Sequence, residues 1–181
     1  MSIDELNTIL RAKYPDIRAV AIRHEDMVFE ERVKLKCFHC RNYRTKWTCP
    51  GHLPQLDFRQ LISEYEHLAV IVSRSEMKDN NTAAQTSQEF YRDTANGLHR
   101  AMLYLESELF KSGNPLAQSF IGGSCELCKN GCPPDACAHP DQARIPWDAT
   151  GCNVTRTLAN IGLTVDFNDR THLTRYGLLL W

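Results

Sequence analysis

Apolar residues recur at two different periods along the first half of the chain, and these periods predict its helices and strands. Residues 3–13 carry apolar side chains at helical spacing behind Ser2, a residue type that caps helix N-termini. Residues 17–23 alternate, whereas 67–73 form one compact apolar run, as in a strand buried on both faces. The predicted elements are a helix at 3–13, strands at 17–23, 27–37 and 67–73, and a helix opened by Pro54 and Asp57 that continues to about Tyr65.

The second half contains the clearest helix, predicted over 83–111. From Tyr91 to Leu109 its apolar residues step by three and four, the period of a face that packs into a core, and Gly113 and Pro115 end it. The remaining predicted elements are a strand at 116–123, a cysteine-rich loop at 124–146, a helix near 153–161, and strands near 163–167 and at 172–181 that form a hairpin around "NDR". Strands that alternate with helices require crossover connections. We therefore expect an α/β (or α+β) fold with a mixed, partly parallel sheet and flanking helices.

The composition favours one soluble domain, residues 1–181. The chain has 181 residues, of which 43% are hydrophobic and 24% are charged, enough to bury a core. A formal net charge of −1 argues against general nucleic-acid binding, which requires a basic excess. No apolar stretch reaches the roughly 20 residues that span a bilayer, and the N-terminus does not have the pattern of a secretory leader. We therefore expect a cytoplasmic protein that does not bind membranes.

Eight cysteines change this ordinary picture, because seven of them fall into two tight groups. In a reducing cytosol, clustered cysteines indicate metal ligands or redox thiols rather than disulfides. The first group lies in a basic, aromatic loop, has the spacing C-x2-C-x8-C, and consists of Cys37, Cys40 and Cys49. Nearby cations would offset the charge of metal-bound thiolates. An anionic substrate is a second role for the cations Arg41, Arg44 and Lys46, and a plain solvated face is the alternative.

The second group can hold a metal centre without further ligands. It has the spacing C-x2-C-x3-C-x4-C and consists of Cys125, Cys128, Cys132 and Cys137. This spacing resembles a loosened ferredoxin pattern. Structural zinc favours paired C-x2-C knuckles, and neither the x8 nor the x3 and x4 spacings follow that pattern. We therefore expect one or two 4Fe–4S clusters, with zinc as the alternative cofactor.

Cys152 lies outside both groups, and three roles stay open for it. It is a buried small apolar residue, the missing fourth ligand of the first group, or a nucleophile in a sulfur relay. If Cys152 is the fourth ligand, the protein is a two-cluster electron carrier. If the fourth position is vacant, the metal at the first group can bind a substrate as a Lewis acid.

Four stretches carry a resemblance to a known family: "VKLKCFHCRNYRTKWTCPGHLP", "HLAVIVS", "IGGSCELCKNGCPPDACAHPDQARIPWDATGCNV" and "RYGLLLW". From about residue 17 onward, the chain resembles the predicted metal-binding proteins labelled DUF2284. The resemblance implies that the seven grouped cysteines bind a metal, and iron–sulfur ligation is the usual expectation. Gly51 departs from the family pattern, which has proline there, and Trp147 and Cys152 stand where serine and isoleucine are usual.

These observations predict an iron–sulfur protein that acts in redox chemistry or electron transfer with a protein partner. A zinc-stabilised interaction module without catalysis is the alternative from another class. The sequence contains no P-loop, dinucleotide fingerprint or nucleophile elbow, so it assigns neither a catalytic residue nor an enzymatic activity. The oligomeric state is likewise left open.

Overall fold

The computed structural model describes residues 1–77 and 84–181, except for the side chains of 84–87. Position 83, where the sequence predicts the long helix to begin, lies outside the described residues. The helices are α1 (Ile3–Lys13), α2 (Glu31–Phe38), α3 (Phe58–Ser63), α4 (Ala84–Lys111) and α5 (Val154–Asn160). The strands are β1 (Ile17–Ile22), β2 (Leu68–Glu76), β3 (Gln118–Phe120) and β4 (His172–Leu180). Short 3₁₀ turns lie at His24–Asp26 and Asp148–Thr150.

The strands in the described part of the chain form one sheet with the order β1-β2-β4-β3, and every ladder is antiparallel. The mixed α/β class is confirmed, but the prediction of a partly parallel sheet is wrong. The crossover through α4 does make β2 and β3 run in the same direction. They are not neighbours, however, because the C-terminal strand β4 lies between them and pairs with both.

The sheet separates two hydrophobic cores. Alternate residues of β2 face opposite sides, so that Ala69 and Ile71 pack beneath α1 and α4 while Val70 and Val72 join the second core. That second core contains Ile62 of α3, Leu158 of α5 and the side chain of Trp147. The cysteine-bearing loops therefore connect elements that are anchored in two well-packed layers.

The long helix α4 has the predicted apolar face over most of its length. Leu98, Met102, Leu105 and Leu109 are buried, whereas Tyr91 at the start of the stripe is 46% exposed. Within the residues that the structure describes, no helix is both long enough and apolar enough to cross a membrane.

The two predicted helix caps are confirmed. The Ser2 hydroxyl accepts a hydrogen bond from the Glu5 N–H, and the Glu5 carboxylate accepts one from the Ser2 N–H at 2.6 Å. The Asp57 side chain accepts a hydrogen bond from the Gln60 N–H at 3.0 Å. These local contacts satisfy backbone donors that helix ends otherwise leave without partners.

Two predicted strands are wrong. Within 27–37 only Phe29 pairs as a strand residue, with Cys152, and the chain then forms α2, whose Glu, Arg, Lys and Leu residues favour a helix. Residues 163–167 form no ladder, so there is no C-terminal hairpin. Leu163 and Val165 both pack against the second core, which explains why apolar and polar residues alternate here. The strand β4, their expected hairpin partner, pairs with β2 and β3 instead.

Candidate metal centre

The first cysteine group lies where α2 ends and the following loop folds back. Cys37 is in the last turn of α2, Cys40 follows the C-cap at His39, and Cys49 is buried after a series of tight turns. These cysteines line one cavity of about 60 Å³. The structure therefore brings together the three residues that the sequence predicts as ligands of one site.

A glycine determines how this loop returns. Gly51 has a φ of +105°, and a β-carbon there would lie 2.4 Å from Cγ of Arg44. Arg44 itself has a φ of 55°, and its N–H donates to the Pro50 carbonyl at 3.1 Å. The positive φ favours glycine at position 51. The close packing of Arg44 on Gly51 thus holds the chain just after Cys49 against the loop that follows Cys40.

Burial raises the pKa values of the thiols in the first group. The pKa of Cys37 rises to about 11, and the negative charges of Asp148 and Cys40 add to the effect. The pKa of Cys49 rises to about 12 by burial, although the Lys46 ammonium opposes the increase. Because a metal binds the thiolate form, binding here releases protons and strengthens as the pH rises.

The second cysteine group lies in the loop between β3 and the 3₁₀ turn at Asp148, and its four cysteines are half-buried. Burial, followed by the charges of Cys132 and Cys137, raises the pKa of Cys128. Burial also raises the pKa of Cys125, with Cys132 and Cys128 contributing. The four thiols are therefore near enough to influence one another electrostatically.

This loop is attached to α4 at both ends. The Asn96 amide donates to the Glu126 carbonyl at 3.2 Å, and Nε2 of His99 lies 2.9 Å from the Gln142 carbonyl oxygen. Two residues after Gln142, Arg144 forms an ion pair with Glu106 of α4. Its Nη2 lies 2.5 Å from Oε2 of Glu106, and both side chains are largely buried. These contacts hold a segment that has no regular secondary structure of its own.

Lys46 and Trp47 connect the two cysteine groups. The Lys46 ammonium donates to Glu126 Oε1 at 2.6 Å, to the Cys125 carbonyl at 2.7 Å and to Ser124 Oγ at 3.2 Å. The Trp47 indole N–H donates to the Pro133 carbonyl at 2.9 Å. The two groups, which are separated by more than seventy residues of sequence, therefore lie side by side.

The three cations predicted to orient an anionic substrate occupy different surroundings. Lys46 is engaged in the contacts between the loops. Arg44 is exposed, with its guanidinium carbon 5.5 Å from the centre of the Tyr43 ring. Arg41 lines a groove of about 560 Å³ whose other basic residues are Arg92, Lys129 and Arg175.

Cys152 is buried and lies outside the cavity of the first group. It is 1% exposed, packs in the second core, and its Sγ is 3.3 Å from Oγ1 of Thr157. Burial raises its pKa to about 11. A reactive cysteine is accessible and has a lowered pKa, so these surroundings are typical of a structural residue.

Asp148 is the residue of this site that the sequence reasoning missed. It lines the cavity of Cys37, Cys40 and Cys49 and remains accessible to water. Protein atoms crowd its carboxyl, and this desolvation raises its pKa, although backbone N–H groups of its own turn oppose the increase. Its proximity to the cysteines depends on tertiary contacts, so the only sequence signal was an acidic residue shortly before Cys152.

Most of the candidate ligand atoms of the site are cysteine sulfurs. All eight cysteines lie among the described residues, and none of them forms a disulfide. Across 1–77 and 84–181, no three Cys, His, Asp or Glu side chains converge closely enough to hold a single ion in this arrangement. Thiolates gathered in two groups suit soft metals, which include zinc and the iron of iron–sulfur centres.

The fold and the site define a mixed α/β, cysteine-rich domain of the metal-binding kind. Residues 20–181 match the model of the family DUF2284, described as a predicted metal-binding protein, and the chain belongs to this family. The family resemblance stated from the sequence is thereby confirmed. No curated protein and no solved structure matches the chain. The family description indicates metal binding and specifies neither the metal nor an activity.

Proposed function

We propose that the protein binds an iron–sulfur cluster at each cysteine group and transfers electrons through the pair. The observation that carries the proposal is the direct connection of the two groups by Lys46, which lies three residues before Cys49 and donates to the Cys125 carbonyl. Each cluster, when bound, would supply reversible one-electron storage. Two such centres joined by one side chain suit an electron-transfer path.

The spacing of the cysteines favours iron–sulfur over zinc. Structural zinc sites favour paired C-x2-C knuckles, whereas the two groups have the spacings C-x2-C-x8-C and C-x2-C-x3-C-x4-C. The second spacing resembles a loosened ferredoxin pattern, in which thiolates bind the irons of a cluster.

Backbone and side-chain donors near the sulfurs support a redox role. The Asn42 N–H lies 3.5 Å from Cys40 Sγ. The Lys46 ammonium lowers the pKa of both Cys49 and Cys125, against the larger effect of burial. Donors and cations at the sulfurs stabilise added negative charge and so raise a cluster's reduction potential.

The surface around the first group suits a protein partner that donates or accepts electrons. Helix α2 buries none of its side chains, and Leu35 and Phe38 on either side of Cys37 are 59% and 57% exposed. Lys36 and Arg41 are exposed nearby. An apolar centre with a basic rim fits a partner that presents an apolar patch within acidic residues.

A second candidate function is the binding of a small anionic substrate beside the clusters. The groove lined by Arg41, Arg92, Lys129 and Arg175 favours it, because this groove also includes Ser124 and Glu126 of the second loop. On this alternative, the cations orient a carboxylate or phosphate group. A zinc-binding structural module remains the competing assignment for the metal.

Anaerobic purification with metal analysis tests the main proposal. Two 4Fe–4S clusters predict a coloured protein with about eight irons and eight acid-labile sulfides per chain. Cys49→Ser and Cys128→Ser should each remove one cluster and halve both counts, whereas the control Cys152→Ser should keep them. A colourless protein that contains zinc would contradict the proposal.

A further inference from the structure

We propose that Asp148 is the fourth protein ligand of the metal centre at Cys37, Cys40 and Cys49. The inference rests on the proposed function only in requiring a metal at this group. It holds for iron–sulfur and for zinc, because a carboxylate oxygen binds either metal.

Asp148 lines the same cavity as the three cysteines of the first group. The cavity of about 60 Å³ is lined by the three cysteines and by Asn42, Tyr43, Pro50, Ser124, Pro146, Asp148 and Ala149. Among these residues, Asp148 alone carries a carboxylate. Tetrahedral zinc sites, and cluster sites with four protein-bound irons, each need one donor more than three thiolates provide. Asp148 lines the cavity in which this donor is needed, although its carboxylate and the thiols do not converge on one ion in this arrangement.

Long-range pairing holds Asp148 in this position. On its N-terminal side, the Trp147 N–H donates to the Ile121 carbonyl at 2.8 Å, and Ile121 donates to the Ile145 carbonyl at 3.0 Å. On its C-terminal side, the Glu30 N–H donates to the Gly151 carbonyl at 3.0 Å, and Asn153 donates to the Val28 carbonyl at 2.6 Å. The second pairing lies directly before α2, so it aligns the turn with the helix that carries Cys37.

The immediate neighbours of Asp148 differ from it in burial. Trp147, Ala149 and Thr150 are buried, and the Thr150 hydroxyl donates to the Trp147 carbonyl at 2.6 Å. Asp148 is the exposed residue of this turn. The packed neighbours fix the backbone at position 148, so less conformational freedom is lost when its side chain binds a metal.

Ligation by Asp148 decides between the two interpretations of the first group. With four protein ligands, the metal has no vacant position for a substrate, so an iron–sulfur cluster at this group acts as an electron carrier and a zinc ion there is structural. Cys152 is then unnecessary as a ligand, in agreement with its burial and its contact with Thr157.

The test compares three substitutions at position 148 in the metal-bound protein, purified anaerobically. Asp148→Cys should keep the wild-type metal content and shift the visible and EPR spectra, because a fourth thiolate replaces an oxygen ligand. Asp148→Ala should lose the metal of the first group, about a two-fold drop in total iron if both groups hold equal clusters. Asp148→Asn should retain less metal than wild type after incubation with a chelator. Asp135→Asn, an exposed acidic residue in the second loop, is the matched control and should match wild type in all respects.

The outcomes separate this inference from the proposed function. Wild-type metal content and spectra in all three variants at position 148 would overturn the role of Asp148 and leave the clusters in place. Zinc in the wild-type protein would overturn the iron–sulfur proposal, and the zinc counts of the Asp148→Ala and Asp148→Cys variants would then decide the inference. A chain that binds no metal would overturn both. A far-UV spectrum that matches wild type excludes misfolding as the cause of metal loss.

Discussion

Replacement of Lys46 by methionine should destabilise the protein by loosening the contact between the two cysteine groups. The substitution removes hydrogen bonds to Glu126 at 2.6 Å, Cys125 at 2.7 Å and Ser124 at 3.2 Å while keeping the aliphatic length of the side chain. A hydrogen bond to a charged group contributes about 1.5–3 kcal/mol when it is shielded from water. The Glu126 side chain is 33% exposed, so water replaces part of the loss. We expect a total cost of about 2–3 kcal/mol.

The matched control is Lys111→Met. Lys111 and Glu108 also lie 2.6 Å apart, but the lysine side chain is 65% exposed, compared with 15% for Lys46. An exposed pair of this kind contributes little to stability, because water screens it. For a chain of this length, the loss corresponds to a decrease in melting temperature of about 4–12 °C for Lys46→Met. The melting temperature of Lys111→Met should stay close to that of wild type.

Urea denaturation of the anaerobically purified protein, followed by far-UV circular dichroism, measures both changes. Burial opposes ionisation of Glu126, but hydrogen bonds from Lys46 and Ser124 outweigh it and lower the pKa of Glu126. Its stabilising contribution is therefore full above the unfolded pKa of about 4.3 and is lost as the pH falls through the lower folded value. The difference between wild type and Lys46→Met should shrink in that range. Equal losses for the two lysine variants at neutral pH would refute the reasoning.

Two further predictions concern the supports of the cysteine loops. Gly51→Ala should weaken metal retention at the first group and lower stability by about 2–3 kcal/mol, because it adds a contact with Arg44 to the cost of a positive φ. Gly113→Ala has the same kind of φ with nothing within 4 Å, so a loss as large as that of Gly51→Ala in a thermal melt would show that the contact is unimportant. Burial lowers the pKa of His99, which also contacts the Gln142 carbonyl. Stability should therefore fall as the pH drops below about 6.5, the unfolded value, because the unfolded chain binds the proton first. Urea midpoints at pH 7.5 and 5.5 should show a smaller decrease for His99→Gln than for wild type, and parallel decreases would contradict this assignment.

Local signals in the sequence predicted the features that depend on neighbouring residues. The Ser2 and Asp57 caps, the buried strand β2 and the apolar face of α4 follow from short-range hydrogen bonding and periodicity. The two cysteine groups are equally local, since thiols three to nine positions apart in a loop can reach a common centre. The family match agrees with what these groups indicate about metal binding.

Local sequence patterns did not predict the features that depend on distant residues. The helical segment α2 was predicted as a strand because the alternation of its apolar residues outweighed its helix-forming composition. The alternation at 163–167 similarly comes from packing on the second core, without any partner strand.

The sequence by itself therefore determined the two groups of thiol donors and most of the secondary structure, because both depend on residues close together in the chain. Only the tertiary structure decided the neighbours of each element. The pairing of β4 between β2 and β3 made the sheet antiparallel, and the pairing of residues 28–30 with 151–153 brought Asp148 to the first cysteine group. These contacts join residues about sixty or more positions apart, so their formation depends on how the whole chain packs, which no local pattern encodes.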